Sequence, residues 1–498
     1  MAKITIDDIE LEAADGAPVL EVCRQNGIYV SSLCYIDGLP PYAGCRMCLV
    51  EIEGARGLQL ACNNRVTDGM VVRTKTPELK DTRRSVLSLI LSNHSDRCLT
   101  CHRTEHCRPG DICLRDDVVT HRCITCSKNY RCELQTTCEL VGMAEYEPWY
   151  TEERSYYAVE QHRPADRANP FLEFDPQMCI LCARCVRACS DIRYTSAITL
   201  ANKGFQAHIA FGADGPIHES SCDFCGACLD VCPTATLMEH PHKWVAKPDR
   251  WTPTTCNSCS VGCNLQIGTQ DGVGVIVKPG ESNPFSGNQV CVRGRFGYDA
   301  VPMDQYPTRA TVRRGENTVP VTFDEAANTA IERLRQIVER DGANAVGFLG
   351  SPRWTVEENI ALAKLAGAVG SSNLDYTNGD VAAAAAGAIA SVFGNEALPA
   401  SGTQLPFANV ILAVADDLEQ THNVAALRIK DAVMRRSGKL IVIGATRGEL
   451  DDFAVLSIRT APGAEAVALE AIAARLAKGN GDAPAFKDPD TIPAALLD

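Results

Sequence analysis

Two stretches, CILCARCVRAC at residues 179–189 and CDFCGACLDVC at 222–232, fix the class of this chain. Each places four cysteines at C-x2-C-x2-C-x3-C spacing, and the 498 residues contain 25 cysteines in all. The N-terminus, MAKITIDDIELEAADG, lacks the charged-then-apolar pattern of a secretory signal. Because disulfides are rare in reducing compartments, so many cysteines predict metal centres.

Composition restricts the function classes further. The net charge of −14 argues against a nucleic-acid partner. No apolar run reaches membrane-spanning length, so we expect a cytoplasmic protein without direct membrane insertion. No cysteine occurs from Val292 to Asp498, which indicates a metal-rich half followed by an ordinary α/β half.

The two opening stretches resemble the runs of bacterial two-cluster ferredoxins, in which the fourth cysteine of each run ligates the other cluster. The resemblance implies a two-cluster ferredoxin domain at 170–245 with two [4Fe–4S] clusters. Zinc is the weaker alternative, since this spacing is not that of zinc fingers. One cluster would take Cys179, Cys182, Cys185 and Cys232, and the other Cys222, Cys225, Cys228 and Cys189.

Two further groups of four cysteines flank this domain. The first lies around a predicted strand pair and short helix at 1–78, where the loop YAGCRMC favours a β-grasp domain with a [2Fe–2S] cluster over structural zinc. Cys23 falls on the helix and fits no spacing, so we expect a buried apolar residue. The two groups are Cys34, Cys45, Cys48 and Cys62, and Cys256, Cys259, Cys263 and Cys291.

In this order, the motifs resemble the large iron–sulfur subunit of respiratory complex I. The same order occurs in NAD-linked formate dehydrogenases and, in its earlier parts, in hydrogenases. The resemblance covers nearly the whole chain, through TFDEAANTAIERLRQIV at 322–338 and SIRTAPGAEAVALEAIAARLA at 457–477. It implies a [4Fe–4S] domain at 250–306, with Arg293 as the basic residue between cluster and pterin, and a molybdopterin-oxidoreductase-like α/β domain at 307–498.

The second site of that family uses one histidine and three cysteines, and here it looks duplicated. The Glu-Leu-Gln that follows the family's third cysteine occurs after Cys132, 25 residues beyond the first match. We therefore expect a small helical cluster domain at 79–150, with an empty or zinc-binding copy as the alternative. The first copy would use Cys98, Cys101 and Cys107 with either His94 or Cys113, and the second Cys123, Cys126, Cys132 and Cys138.

Two departures from the family direct the functional prediction. Thr377 stands where molybdenum-bearing relatives carry a soft ligand, so we expect a truncated doubly wound domain without a molybdenum site. The complete two-cluster ferredoxin favours the dehydrogenase and hydrogenase branches over quinone reduction. We expect one [2Fe–2S] and five [4Fe–4S] clusters, with no molybdopterin and no flavin.

The resulting hypothesis is an electron-transfer subunit of an NAD(P)H-linked oxidoreductase complex, without a substrate-converting site of its own. The resemblance implies three partners: a flavin-bearing NADH-binding subunit, a small thioredoxin-like [2Fe–2S] subunit, and a second redox subunit such as a hydrogenase, or soluble ferredoxin. Electron bifurcation is attractive by analogy. The alternatives are a complex I subunit feeding quinone, a formate dehydrogenase-related subunit and a metal-stabilised scaffold without redox function.

Overall fold

A computed structural model gives two compact units. The first comprises Met1–Thr252, Gln266–Lys278 and Val290–Arg295, and the second comprises Pro253–Leu265, Pro279–Gln289 and Phe296–Asp498. The structure describes residues 1–92, 94, 98–101, 106–108, 123–129, 131–145, 163–240, 243, 247–280, 283–299, 308–394 and 400–478. Within these ranges, no helix combines the length and the apolar character needed to cross a bilayer.

The first unit begins with a five-stranded sheet in the order β2-β1-β5-β3-β4. Strand β1 pairs antiparallel with β2 and parallel with β5. Alternate residues of β1 point inward and meet helix α1, whose Val19 and Leu20 are fully buried. The bounds are β1 Ala2–Ile6, β2 Ile9–Ala13, α1 Val19–Gln25, β3 Leu49–Ile52, β4 Gln59–Leu60 and β5 Val71–Arg73.

Two longer helices follow, α2 (Pro77–Leu91) and α3 (Glu133–Val141). The Thr76 hydroxyl caps α2 by accepting a hydrogen bond from a backbone amide, and a proline occupies the first helical turn. Helix α3 ends at Gly142, whose φ of 67° is the left-handed conformation that a helix end commonly needs. The helices share one apolar core, formed by Leu87, Leu91, Leu134 and Val141.

The segment from 163 to 240 contains two matching halves. Helices α4 (Arg184–Arg187) and α5 (Ala227–Val231) each follow a residue in the left-handed conformation, Ala183 or Gly226. Adding a Cβ to Gly226 would bring it within 2.3 Å of the Arg295 side chain, so this position requires glycine. The strands form two antiparallel pairs, β6 (Leu172–Phe174) with β9 (Leu237–Glu239) and β7 (Ile198–Ala201) with β8 (His208–Phe211).

A three-stranded sheet in the order β10-β11-β12 comes next. Its strands are β10 (Arg250–Thr255), β11 (Asn264–Gln270) and β12 (Val273–Pro279), followed by the short helix α6 (Val292–Phe296). Cys256 lies directly after β10 and Cys263 directly before β11, so the sheet places both cysteines at strand ends.

The second unit has α/β character. Its described strands form an antiparallel hairpin, β13 with β14, and two separate parallel sheets, β15-β16 and β17-β18-β19, rather than one continuous sheet. The class prediction of a multidomain α+β and α/β chain is confirmed. The strands are Ala310–Arg314, Asn317–Val321, Phe348–Gly350, Leu374–Tyr376, Val410–Val414, Lys439–Gly444 and Leu456–Arg459. Helices α7 to α12 are Phe323–Asp341, Val356–Val369, Gly379–Phe393, Leu418–Thr421, Asn423–Arg436 and Glu465–Lys478.

Candidate metal centres

The β-grasp domain brings its four predicted cysteines together. The Cys45 amide donates to the Cys34 sulfur at 3.5 Å, and left-handed residues Ala43 and Arg46 turn the loop between strands. A hydrogen bond from the Cys45 thiol lowers the pKa of Cys34 to about 6. The Cys48 thiol likewise lowers the pKa of Cys62, against the effects of burial and of the nearby Cys34. Cys23 lies apart in the domain core, as predicted, and burial raises its pKa to about 11.

The first ferredoxin run meets the last cysteine of the second run. Burial raises the pKa of Cys182 to about 12, and the nearby Cys232 adds to the increase. Burial also raises the pKa of Cys179 and Cys185, and Cys182 and Cys232 add to the increase. Close to these thiols, the Leu181 amide donates to the Cys179 sulfur at 3.4 Å. The four cysteines predicted for one cluster are therefore electrostatic neighbours.

The second run mirrors this arrangement. The Phe224 amide donates to the Cys222 sulfur at 3.4 Å, and Phe224 takes the same left-handed conformation as Leu181. Burial raises the pKa of Cys222 to about 12, with Asp223 and Cys189 contributing further. Burial also raises the pKa of Cys228, followed by the effects of Cys225, Cys222, Cys185 and Cys189. Cys189 of the first run is therefore an electrostatic neighbour of the second run.

Successive groups also lie within electrostatic reach of one another. Burial is the largest cause of the raised pKa of Cys182, but Cys34 of the β-grasp domain also contributes. Cys185 perturbs Cys228 across the two ferredoxin groups. Beyond them, Arg193 is fully buried, yet its pKa is raised because Cys225, Asp223 and Cys291 favour its charge. The groups of the first unit thus form a connected series.

In the duplicated segment, His94 lies beside the second set of cysteines. It follows the end of α2 and is only 4% exposed. His94 lines one cavity together with Cys123, Cys126 and Cys132. Contiguous spacing predicts instead that it joins the first set. One sequence signal favours the observed placement of His94 beside the second set. The Glu-Leu-Gln that follows the third cysteine of the family's site occurs here after Cys132.

Cys138, the fourth predicted ligand of the second set, packs near two members of that set without lining the His94 cavity. It is buried in the core shared by α2 and α3, against which Cys123 and Cys132 also pack. Six residues separate it from Cys132, about one and two-thirds helical turns, which directs it to another face. Of the first set, Cys98, Cys101 and Cys107 are half-buried, whereas Cys113 falls outside the described residues.

The last predicted group is divided between the two units, with Cys256, Cys259 and Cys263 in the second and Cys291 in the first. The Cys256 amide donates to the Cys263 carbonyl at 2.8 Å and closes their loop. Arg293 is exposed at the surface.

Sequence reasoning missed several buried cations around these groups. The Arg184 guanidinium makes two hydrogen bonds to Glu133, of 2.6 and 2.8 Å, and one to the Ser32 carbonyl at 2.7 Å. Arg193 pairs with Asp223 at 2.7 Å, and buried Arg295 pairs with Asp230. Each lies inside or beside a cysteine loop, where sequence alone gives no sign that an arginine is buried.

Buried donors provide a test of whether iron–sulfur clusters fit. Ser32 Oγ, Ser127 Oγ and Arg184 Nε are buried and have no hydrogen-bond partner among the described residues. Ser127 follows Cys126, and Ser32 precedes Cys34 by two residues. Clusters accept such hydrogen bonds at their sulfurs, so donors and thiols together fit them. In the described ranges, no three Cys, His, Asp or Glu side chains are arranged to hold a single metal ion.

At the carboxyl ends of the parallel strands in the second unit lie several hydroxyl groups. Ser351 follows β15, Thr377 follows β16 and Thr446 lies just beyond β18. Cofactors of open α/β sheets bind at such edges, and hydroxyl groups can bond a polar cofactor there. The series of thiol groups in the first unit does not depend on one.

Comparison with known domain families matches four segments of the chain. Residues 1–77 match a 2Fe-2S iron-sulfur cluster binding domain, and 178–236 match a 4Fe-4S dicluster domain. Residues 249–302 match the molybdopterin oxidoreductase Fe4S4 domain, and 307–478 match the molybdopterin oxidoreductase family. Iron–sulfur binding domains are therefore present.

The chain is also similar to named proteins. It is 32% identical over 486 residues to an NADH-quinone oxidoreductase subunit of Rhizobium meliloti, covering 96% of this chain and 52% of that protein. It is 30% identical over 475 residues to the alpha subunit of an NADPH-Fe(3+) oxidoreductase of Geobacter sulfurreducens, covering 95% and 51%. A solved NAD+-reducing [NiFe]-hydrogenase chain gives a TM-score of only 0.39 at 23% identity, covering 50% of this chain and 92% of that one.

These findings confirm the resemblance to the large iron–sulfur subunits of NADH- and NADPH-linked oxidoreductases, while the chain spans about half the length of the curated relatives it matches. They correct the cofactor prediction. The combination of six clusters with no molybdopterin and no flavin is wrong as a set, because 307–478 match the molybdopterin oxidoreductase family. Thr377 bears only on a metal ligand and does not exclude the pterin.

Proposed function

We propose that this relative of complex I iron–sulfur subunits relays single electrons within a cytoplasmic NAD(P)H-linked oxidoreductase complex. Bound iron–sulfur clusters take up and release one electron at a time. The chain's own residues hold them, exclude water and set the charge around them. No hydride or substrate chemistry is assigned to the chain itself.

The observation that carries this proposal is the series of neighbouring thiol groups. Cys34 acts on the pKa of Cys182, and Cys185 acts on that of Cys228. Cys225 and Cys291 both act on the pKa of Arg193. Separate structural metal sites have no need for such proximity, whereas electron transfer depends on it. The proposed ligand groups in the first unit are Cys34, Cys45, Cys48 and Cys62; Cys179, Cys182, Cys185 and Cys232; Cys189, Cys222, Cys225 and Cys228; and His94, Cys123, Cys126 and Cys132.

Two further ligand groups are proposed from the cysteine spacing. Cys98, Cys101 and Cys107, with Cys113, form one further proposed group. Cys256, Cys259, Cys263 and Cys291 form the other, and Arg293 stays the predicted basic residue beside it.

The proposed partners follow from the chemistry of NAD(P)H. NAD(P)H gives up two electrons together, so a flavin-bearing subunit must split the pair before single-electron carriers accept it. We propose that this subunit and a small thioredoxin-like [2Fe–2S] subunit supply electrons. A hydrogenase-type subunit or soluble ferredoxin would receive them, and two such exits would permit bifurcation.

Anaerobic purification of the native complex tests this function. We expect iron and acid-labile sulfide in the chain, and EPR signals of reduced clusters when NADH or NADPH reaches the complex. The separated chain should show those signals with dithionite but not with either nucleotide. Iron and sulfide near zero, or direct reduction of the separated chain by a nucleotide, would contradict the proposal.

A second candidate is a subunit related to formate dehydrogenases, favoured by the match of 307–478 to the molybdopterin oxidoreductase family. Molybdenum analysis and formate-dependent cluster reduction in the purified complex distinguish the candidates. Formate turnover by the chain itself would establish the second and remove the relay as a complete description.

A further inference from the structure

Lys128 lies in the loop between Cys126 and Cys132, two of the residues that line the His94 cavity. Its backbone amide donates to the Cys126 sulfur at 3.4 Å. Its ammonium group donates to the carbonyl of Cys232, which belongs to a ferredoxin group. One side chain therefore reaches from the loop of one thiol group to the backbone of another.

The two segments are held in register around Lys128. The Cys132 thiol donates to the Pro233 carbonyl at 3.4 Å, and the Glu133 amide donates to the same oxygen at 3.0 Å. Cys126 packs with Met178, Ala235 and Met238 in one small apolar cluster. These contacts fix the separation of the two groups, so the lysine cannot approach one by leaving the other.

The charge of Lys128 is less compensated than that of the buried arginines nearby. Arg184 and Arg193 have carboxylate partners in Glu133 and Asp223. Among the described residues, no carboxylate lies within ion-pair distance of the Lys128 ammonium group. An ammonium charge without a paired carboxylate acts more strongly on nearby sulfurs than a neutralised one.

Lys128 borders cavities at both groups. It lines the His94 cavity together with Cys126 and Cys132, and it lines a second cavity together with Cys232. The lysine is therefore placed beside thiols of both groups.

We infer that Lys128 is a shared tuning residue, which raises the reduction potentials of the cluster held with Cys126 and Cys132 and of the cluster held with Cys232. Reduction adds negative charge to a cluster, and a nearby cation stabilises that form. This inference rests on the proposed electron-relay function. In this role Lys128 acts through its charge and does not bind a cluster as a ligand.

The neighbouring Arg131 offers an internal comparison. It donates to the Ser127 carbonyl at 2.7 Å. Burial lowers the pKa of Arg131, and Cys126 is the one thiol of the described residues that opposes this shift. Replacing it should therefore affect one cluster, whereas replacing Lys128 should affect two. Lys203, which is exposed in the ferredoxin segment at 163–240, serves as a control.

Potentiometric EPR titration of the anaerobically purified complex tests the inference. In Lys128→Met, two cluster signals should shift to lower potential, and in Arg131→Met one of those same two should shift. Lys128→Arg and Lys203→Met should leave both unchanged. A shift of one signal or none in Lys128→Met, at unchanged iron content, overturns the inference.

If Lys128→Met loses iron, a second variant, Lys128→Gln, still tests the inference. Lys128→Gln can still donate to the Cys232 carbonyl, and its two signals should shift as described. Iron loss from both variants but not from Lys128→Arg would assign the lysine a structural role and overturn tuning. Iron absent from the wild type would instead reject the proposed function itself.

Discussion

The buried pair of Arg184 and Glu133 gives the sharpest stability prediction. Glu133→Gln keeps the side-chain shape but removes the carboxylate that receives two hydrogen bonds, at 2.6 and 2.8 Å. The Arg184 side chain is 5% exposed and that of Glu133 is 44% exposed. Breaking a fully buried pair costs about 3 to 5 kcal/mol, and the exposure of Glu133 reduces this to roughly 2 kcal/mol.

This loss is measurable as a rate. Clusters decay irreversibly on unfolding, so the rate of loss of cluster absorbance in urea under anaerobic conditions is the suitable quantity. A change of about 2 kcal/mol corresponds to roughly 30-fold faster loss. The matched control is Asp37→Asn, which removes the 2.6 Å pair of Arg24 with a carboxylate that is 72% exposed.

We expect the control to change the rate less than about threefold, because exposed pairs contribute little. The reasoning that Arg184 depends on Glu133 would be refuted if Glu133→Gln kept wild-type iron content and lost its cluster absorbance as slowly as Asp37→Asn and the wild type. Glu133→Asp provides a further check, since it keeps the charge and should recover part of the stability.

Three other outcomes follow from the structure. His94→Ala should abolish or shift one EPR cluster signal, whereas Cys138→Ser should retain every signal, and the opposite result would return Cys138 to the ligand set. Gly226→Ala should lower the thermal midpoint, measured by circular dichroism, by the equivalent of about 1 to 3 kcal/mol, since φ is +75° and the Cβ would meet a side chain. Glu173 is buried, yet Arg167 and Lys243 hold its pKa below its usual value, so the stability it adds is present above about pH 4.3 and is lost as pH falls through the depressed value. The thermal midpoint of Glu173→Gln should therefore lie below wild type by the equivalent of about 2 to 3 kcal/mol at pH 7, and the gap should narrow near pH 4; a constant gap would contradict this assignment.

The thiol groups illustrate what spacing can predict. Short loops bring together the first three cysteines of each ferredoxin run, because a C-x2-C-x2-C turn leaves them few ways to point. The exchange of the fourth cysteine is what the resemblance to two-cluster ferredoxins implies. The grouping of His94 is harder to predict, since 28 residues separate it from Cys123 in the sequence. Contiguous spacing favours Cys98, Cys101 and Cys107, whereas the structure packs the end of α2 against the second set.

The buried cations lie beyond sequence reasoning for a different reason. Lys128 lies in the turn after Cys126, and Arg184 is the first residue of α4. Charged side chains at such positions ordinarily face solvent. Both make contacts across more than 45 residues, the half-buried Lys128 to Cys232 and the buried Arg184 to Glu133 and Ser32. The α/β class of the second unit could be predicted from its helical and apolar strand patterns, but the separation of its strands into two sheets could not, because strand pairing leaves little trace in local sequence.

The position of Arg184 has a consequence for how the protein is made. Its guanidinium contacts Ser32 of the β-grasp domain, Glu133 of the helical domain and Val231 of the ferredoxin domain. A domain that docked without the others would leave this charge buried and uncompensated. We therefore expect the three domains to fold together. A chain in which one of them fails to fold would be unstable before it joins a complex, and so could not pass electrons to solvent from there.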